Sequence, residues 1–200
     1  MGLHESMLIK EKKCLLFDAW HRFKYTSSET KEEITMKAET RVFGTVDIAD
    51  EKIITMETGM IGLPLFKKFA LIFDEEKAKE EDQETTNIMW LQSLDDPDTA
   101  FPVMVPQTVM PDYNPKVNEE ILAPLGELND ENTYILVTVT VPSKIEDLSI
   151  NLKAPIIINA DTHKGVQIIV EDDFPVKFKI YDLVKGNKKR EDIEDGKAGE

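Results

Sequence analysis

The sequence predicts a mainly β protein: a small antiparallel β-barrel-like or strongly curved sheet body, with one short helix and charged tails. Three observations predict it. Apolar and polar residues alternate with period two over many short runs, as half-buried strands require. Turn residues recur between those runs at regular spacing. A single stretch has helical spacing, so the crossover helices of a doubly wound α/β sheet are missing.

The elements follow in order. Residues 41–48 and 53–58 alternate apolar and polar and read as two strands joined by Ala49, Asp50 and Glu51. Residues 59–64, GMIGLP, place two glycines and a proline in six positions, which marks a sharp structural reversal. Residues 69–73 read as an apolar strand. The run 74–84 holds seven acids and two lysines and reads as a solvated loop or an electrostatic docking surface. Residues 87–94 and 100–105 are two more strands around the turn DDPD. Residues 116–123 are the one helix, with Pro115 near its start and Pro124 at its end. Residues 133–141 alternate cleanly. Residues 148–154 do so as well, with Leu148, Ile150, Leu152 and Ala154 inward, and Pro155 belongs at an edge or bulge because it lacks an N–H. Residues 166–170 and 177–183 complete the strand set. From Lys185 to Glu200 the chain reads as a disordered charged tail.

Charge divides the chain. Of its 200 residues, 24 are Lys or Arg and 39 are Asp or Glu, for a net charge of −15. Residues 1–35 hold six of each sign, which leaves 18 basic and 33 acidic residues in 36–200. The whole surplus of negative charge therefore lies in the body. Nucleic acid and anionic membranes are poor direct partners for such a surface. No apolar run approaches the ~20 residues of a membrane-spanning helix. The start MGLHESMLIKEKK lacks the apolar core of a signal peptide. Cys14 is the one cysteine and forms no internal disulfide, which points to the cytoplasm. Residues 1–35 read as an N-terminal extension outside the fold, through an over-called start or as a short helix docking on the body or a partner. The body spans 36–184 and the tail 185–200.

The body carries little catalytic equipment. Residues 36–200 contain no Cys and one His, His163, so neither a thiol nucleophile nor a Cys/His zinc site is available. Ser93 sits in LQSL, which is not a nucleophile elbow. The Asp-rich turn lacks calcium-loop spacing. No catalytic residue, metal or cofactor is expected. High net charge favours a monomer. The natural activity of an acidic β body is binding a basic partner. A small-ligand-binding barrel or an unrecognised hydrolase is the alternative; a packed apolar interior would count against the first.

Several motifs together resemble the FliW family of flagellar assembly factors. They are Gly59, Gly62, Leu63 and Pro64; Leu91, Gln92 and Ser93 followed by Asp95, Asp96, Pro97, Ala100 and Phe101; Pro111, Asp112 and Tyr113; Asn151, Leu152, Ala154, Pro155 and Asn159; and Gly165 with Gln167. The likeness runs from about Thr40 to Phe174. It departs at Val105–Pro106, where an Asn-Pro pair is usual, and in the stretch after the last of these strands.

The resemblance implies a small β-barrel-like body that binds CsrA, a basic dimeric RNA-binding translational repressor, and flagellin. Such a protein antagonises CsrA and acts as a chaperone-like partner of flagellin. Candidate CsrA contacts are the acidic turns Asp95, Asp96, Asp98 and Glu171, Asp172, Asp173, which read equally as ordinary turn acids. Tyr113 and Asn151, beside Ser149 and Lys153, are candidates by motif position, and Asn151 reads equally as a structural amide. Leu65 and Phe66, after the GMIGLP turn, are candidate flagellin contacts.

Overall fold

The computed structural model describes residues 35–72 and 88–185. The apolar cluster in the N-terminal extension, the acidic run 74–84 and the tail beyond residue 185 lie outside the described residues. Among the described residues eleven strands form: β1 (Thr35–Thr40), β2 (Gly44–Ala49), β3 (Ile53–Thr55), β4 (Lys68–Ile72), β5 (Met89–Ser93), β6 (Ala100–Met104), β7 (Thr133–Thr140), β8 (Ser149–Ile150), β9 (Ile156–Asn159), β10 (Lys164–Gln167) and β11 (Phe178–Lys179).

Seven of them close a barrel in the order β3-β4-β5-β6-β7-β9-β10. Six neighbouring pairs are antiparallel. The seventh, β10 on β3, is parallel, with Lys164 opposite Thr55. An odd ring of alternating strands must contain one such pair, so the expected antiparallel barrel carries one parallel seam. Six of these seven strands send apolar side chains inward. Ile54, Met56, Phe69, Met89, Leu91, Val103, Leu136, Ile156 and Ile158 are buried together in the interior. On β10 the inward residue is Gly165. A Cβ there would lie 3.2 Å from Ile54 Cγ2 and 3.4 Å from atoms of both Ile158 and Met56. The barrel is therefore a packed core, not a ligand chamber.

The outer wall carries three further clusters. The β1–β2 hairpin lays Ala38 and Ile48 over Ala70. Short helix α1 (Glu119–Leu122) sets Leu122 with Val117, Leu125, Ile168 and Val170 over Ile157. Strand β9 is thus buried on both faces, which explains its continuous apolar run. The third cluster joins Ile135, Val137 and Val139 of β7 to Leu148, Ile150, Leu152, Tyr113 and Ile180.

Several expected elements are redrawn. The first alternating run begins at Gly44, because 41–43 form a hairpin turn. Thr40 Oγ1 closes it, donating to the Gly44 carbonyl and accepting from Phe43 N–H, both at 2.9 Å. The helix spans four residues rather than eight. Asn118 caps it by accepting from Glu120 N–H at 2.9 Å. Pro124 does not end it but enters a 3₁₀ turn, Ala123–Leu125, before Gly126 at φ +89°. Residues 148–154 are not one strand, and Leu148, Ile150 and Leu152 face the outer cluster rather than the barrel interior. β8 and β9 both pair with β7, but Ile150 opposes Val139 while Ile156 opposes Leu136. Six steps on one strand against three on the other leave a bulge at 151–155, and Pro155 lies in it. The last run yields only two strand residues, followed by a helical turn at 181–185.

Candidate functional site

The acidic turn between β5 and β6 is built from beneath. Gln92 is fully buried, and its Nε2 donates to the carbonyls of Ser93 (2.9 Å), Thr99 (3.0 Å), Pro97 (3.2 Å) and, at the limit, Asp96 (3.5 Å). Ser93 Oγ accepts from the Asp95 and Asp96 N–H groups, each at 3.2 Å. Asp95 is committed to the fold: its Oδ2 accepts from Lys67 N–H at 2.6 Å and Lys68 N–H at 2.8 Å, fixing the entry to β4. Asp96 accepts from Thr99 Oγ1 at 2.6 Å. Asp98 lies exposed at the corner of the turn.

The second acidic turn divides in the same way. Asp172 Oδ2 accepts from Lys116 N–H at 2.8 Å, and Lys153 Nζ donates to its carbonyl at 2.7 Å. Glu171 and Asp173 are exposed on either side. The two turns are thus anchored to different elements. Tyr113 points inward, 2% exposed, with its ring 4.7 Å from that of Phe174. Burial, reinforced by the charge of Asp172, pushes its phenol above the usual range. Asn151 is half-buried, and its Oδ1 accepts from Lys153 N–H at 3.1 Å, an Asx turn inside the bulge. Ser149 is buried and Lys153 half-buried.

Leu65 is the most open apolar side chain among the described residues, 82% exposed. Phe66 packs back against the barrel core. Sequence reasoning missed the company Leu65 keeps. Ile61 and Leu63 are exposed on the same loop, and Ile169 is exposed after β10. The loop is held to β10 because Ile61 N–H donates to Gln167 Oε1 at 3.0 Å. The i, i+2, i+4 spacing of Ile61, Leu63 and Leu65 was a readable signal for an apolar rim.

Comparison with known proteins decides the family. The family described as FliW protein matches residues 37–180. The chain belongs to the FliW family. A relative from Lachnospira eligens, named flagellar assembly factor FliW, is 41% identical over 152 residues, covering 75% of this chain and 97% of its own. One of the same name from Thermotoga neapolitana is 43% identical over 136 residues, covering 67% of this chain and 86% of its own. A crystal structure of the flagellar assembly factor FliW superposes with a TM-score of 0.64 at 25% identity, covering 72% of this chain and 96% of that one.

With the FliW family established, the residues that carried the resemblance acquire physical roles. Gly59 has φ +67°, and a Cβ there would meet Leu63 O and Pro64 Cα at 2.8 Å. Asn159 is fully buried; its Nδ2 donates to Leu125 O and Glu127 O, each at 3.0 Å, and its Oδ1 accepts from Asp161 N–H at 2.9 Å. Gln167 bridges the Ile61 loop to Ala154 O. These residues hold turns and the bulge in place. Among the described residues no helix is long and apolar enough to cross a membrane.

Proposed function

We propose that this chain is a cytoplasmic flagellar assembly factor that works by binding proteins rather than by catalysis. It binds the translational repressor CsrA, antagonises its repression of flagellin mRNA, and binds flagellin as a chaperone-like partner. Flagellin synthesis is thereby coupled to assembly. Membership of the FliW family over residues 37–180 is the observation that carries the reading. The charge supports it: residues 36–200, with 33 acids against 18 bases, attract a basic dimer and speed encounter with it.

The exposed acids Asp98, Glu171 and Asp173 make the electrostatic contact in this reading. Asp95, Asp96 and Asp172 position the two turns, and Tyr113 and Asn151 brace the segment behind the second. The apolar rim of Leu65, with Ile61, Leu63 and Ile169, receives flagellin, and Phe66 anchors it.

The test is a titration of the full chain against purified CsrA at low and high salt, followed by flagellin. Salt-sensitive binding that flagellin reverses is the expected result. Absence of binding at both salt concentrations overturns the proposal.

A further inference from the structure

Strand β1 pairs with β2 alone, so one of its edges has no partner among the described residues. We propose that this edge is a self-association surface whose occupant is β1 of a second copy of this chain. The strand reads Thr35-Met36-Lys37-Ala38-Glu39-Thr40, with Thr35, Lys37 and Glu39 exposed on one face and Ala38 and Thr40 buried on the other. An antiparallel pairing about a two-fold axis through Ala38 sets Lys37 opposite Glu39 of the second copy, and Glu39 opposite its Lys37. The contact is isologous, as a closed dimer requires. Moving the axis to Lys37 or Glu39 sets like charges against each other, an axis on Met36 leaves Lys37 opposite Thr35, and one on Thr40 runs the pairing into the 41–43 turn, so Ala38 is the centre that gives both charges a partner within the strand.

The row continues across each hairpin. Within one copy, Lys37 lies opposite Asp47 and Glu39 opposite Thr45. Thr45 Oγ1 donates to Glu39 Oε1 at 2.9 Å, which holds that carboxylate on the face of the sheet. The four-stranded sheet of the dimer would read Asp47, Lys37, then Glu39 and Thr45 of the second copy, with charges alternating across the seam. A lysine on an open edge ordinarily blocks pairing. Here Glu39, two positions on, supplies the complementary charge. A six-residue strand gives a small interface, and −15 on each copy opposes approach. The dimer is therefore weak and concentration-dependent, in place of the monomer that net charge alone predicts.

Sedimentation velocity of the full chain over a rising concentration series reads this out. The wild type should shift from monomer toward dimer. K37E and E39K should each remain monomeric, with unchanged circular dichroism because both sites are exposed. A one-to-one mixture of the two should associate, since each supplies the charge that the other needs, and the double variant K37E/E39K should associate like the wild type. A wild type that stays monomeric throughout overturns the proposal, including the case in which residues 1–34 cover the edge. Single variants that associate like the wild type, or a mixture that does not, overturn the pairing.

Discussion

Tyr113 Oη donates a 2.7 Å hydrogen bond to the carbonyl of Leu152, 39 residues away. The bond ties the segment before α1 to the bulge between β8 and β9, so two family motifs meet inside one cluster. Tyr113→Phe leaves that carbonyl without its donor. The expected cost is about 1 kcal/mol of stability, with CsrA affinity unchanged. Denaturant melts alongside the binding titration check both.

The same tyrosine makes stability pH-dependent at the alkaline end. Its folded pKa is raised by burial and by Asp172, while the unfolded value is about 10. Its contribution is therefore fully present below about pH 10 and is lost as pH rises toward the folded value, because the unfolded chain releases its proton first. Melts between neutral and strongly alkaline pH should show a fall that Tyr113→Phe lessens.

Charge reversal should separate the two kinds of acid. Asp98→Lys, or Glu171→Lys with Asp173→Lys, touches exposed side chains and should move stability by no more than about 0.5 kcal/mol. Each should slow association with CsrA and flatten its salt dependence. Asp95→Asn and Asp172→Asn weaken the charge-assisted bonds to Lys67, Lys68 and Lys116 N–H groups. Those variants should lose about 1–2 kcal/mol. Stopped-flow association and thermal melts read the two effects apart.

Leu65 and Phe66 are neighbours with opposite expected behaviour. Leu65→Asp changes an 82%-exposed side chain and should leave the melt unmoved while abolishing flagellin capture. Phe66→Ala strips a ring packed on the barrel core and should lower stability by about 2 kcal/mol. A flagellin pull-down beside the melts decides. Normal capture by Leu65→Asp removes the rim from the flagellin site.

The two glycines of the GMIGLP turn should also differ. At Gly62, φ is +85° and the space around a Cβ is open, so Gly62→Ala costs only the left-handed backbone, about 1–2 kcal/mol. At Gly59 the same substitution adds a 2.8 Å collision with backbone atoms of residues 63 and 64. Gly59→Ala should cost more, because backbone rather than a side-chain end must move. Paired urea melts measure the difference.

The features legible in the sequence were local. Period-two alternation located most of the strands, though not β1, and glycine and proline located the turns, because φ preference and side-chain direction act within a few residues. The residues that carried the resemblance are local for the same reason: Gly59 has a backbone conformation, and Gln92, Asn159 and Gln167 have hydrogen bonds, that a turn or loop demands. The tertiary structure alone decided the rest. Alternation shows that a strand has two faces, not what covers each, so Leu152, which reads as inward, is buried against the outer wall rather than the barrel interior. An acid in a turn looks the same whether it caps a distant strand, as Asp95 does, or stays in water, as Asp98 does. Closure by the parallel seam of β10 on β3 joins Lys164 to Thr55. Contacts between residues so far apart in the chain follow from how the whole barrel packs, and no local pattern encodes them.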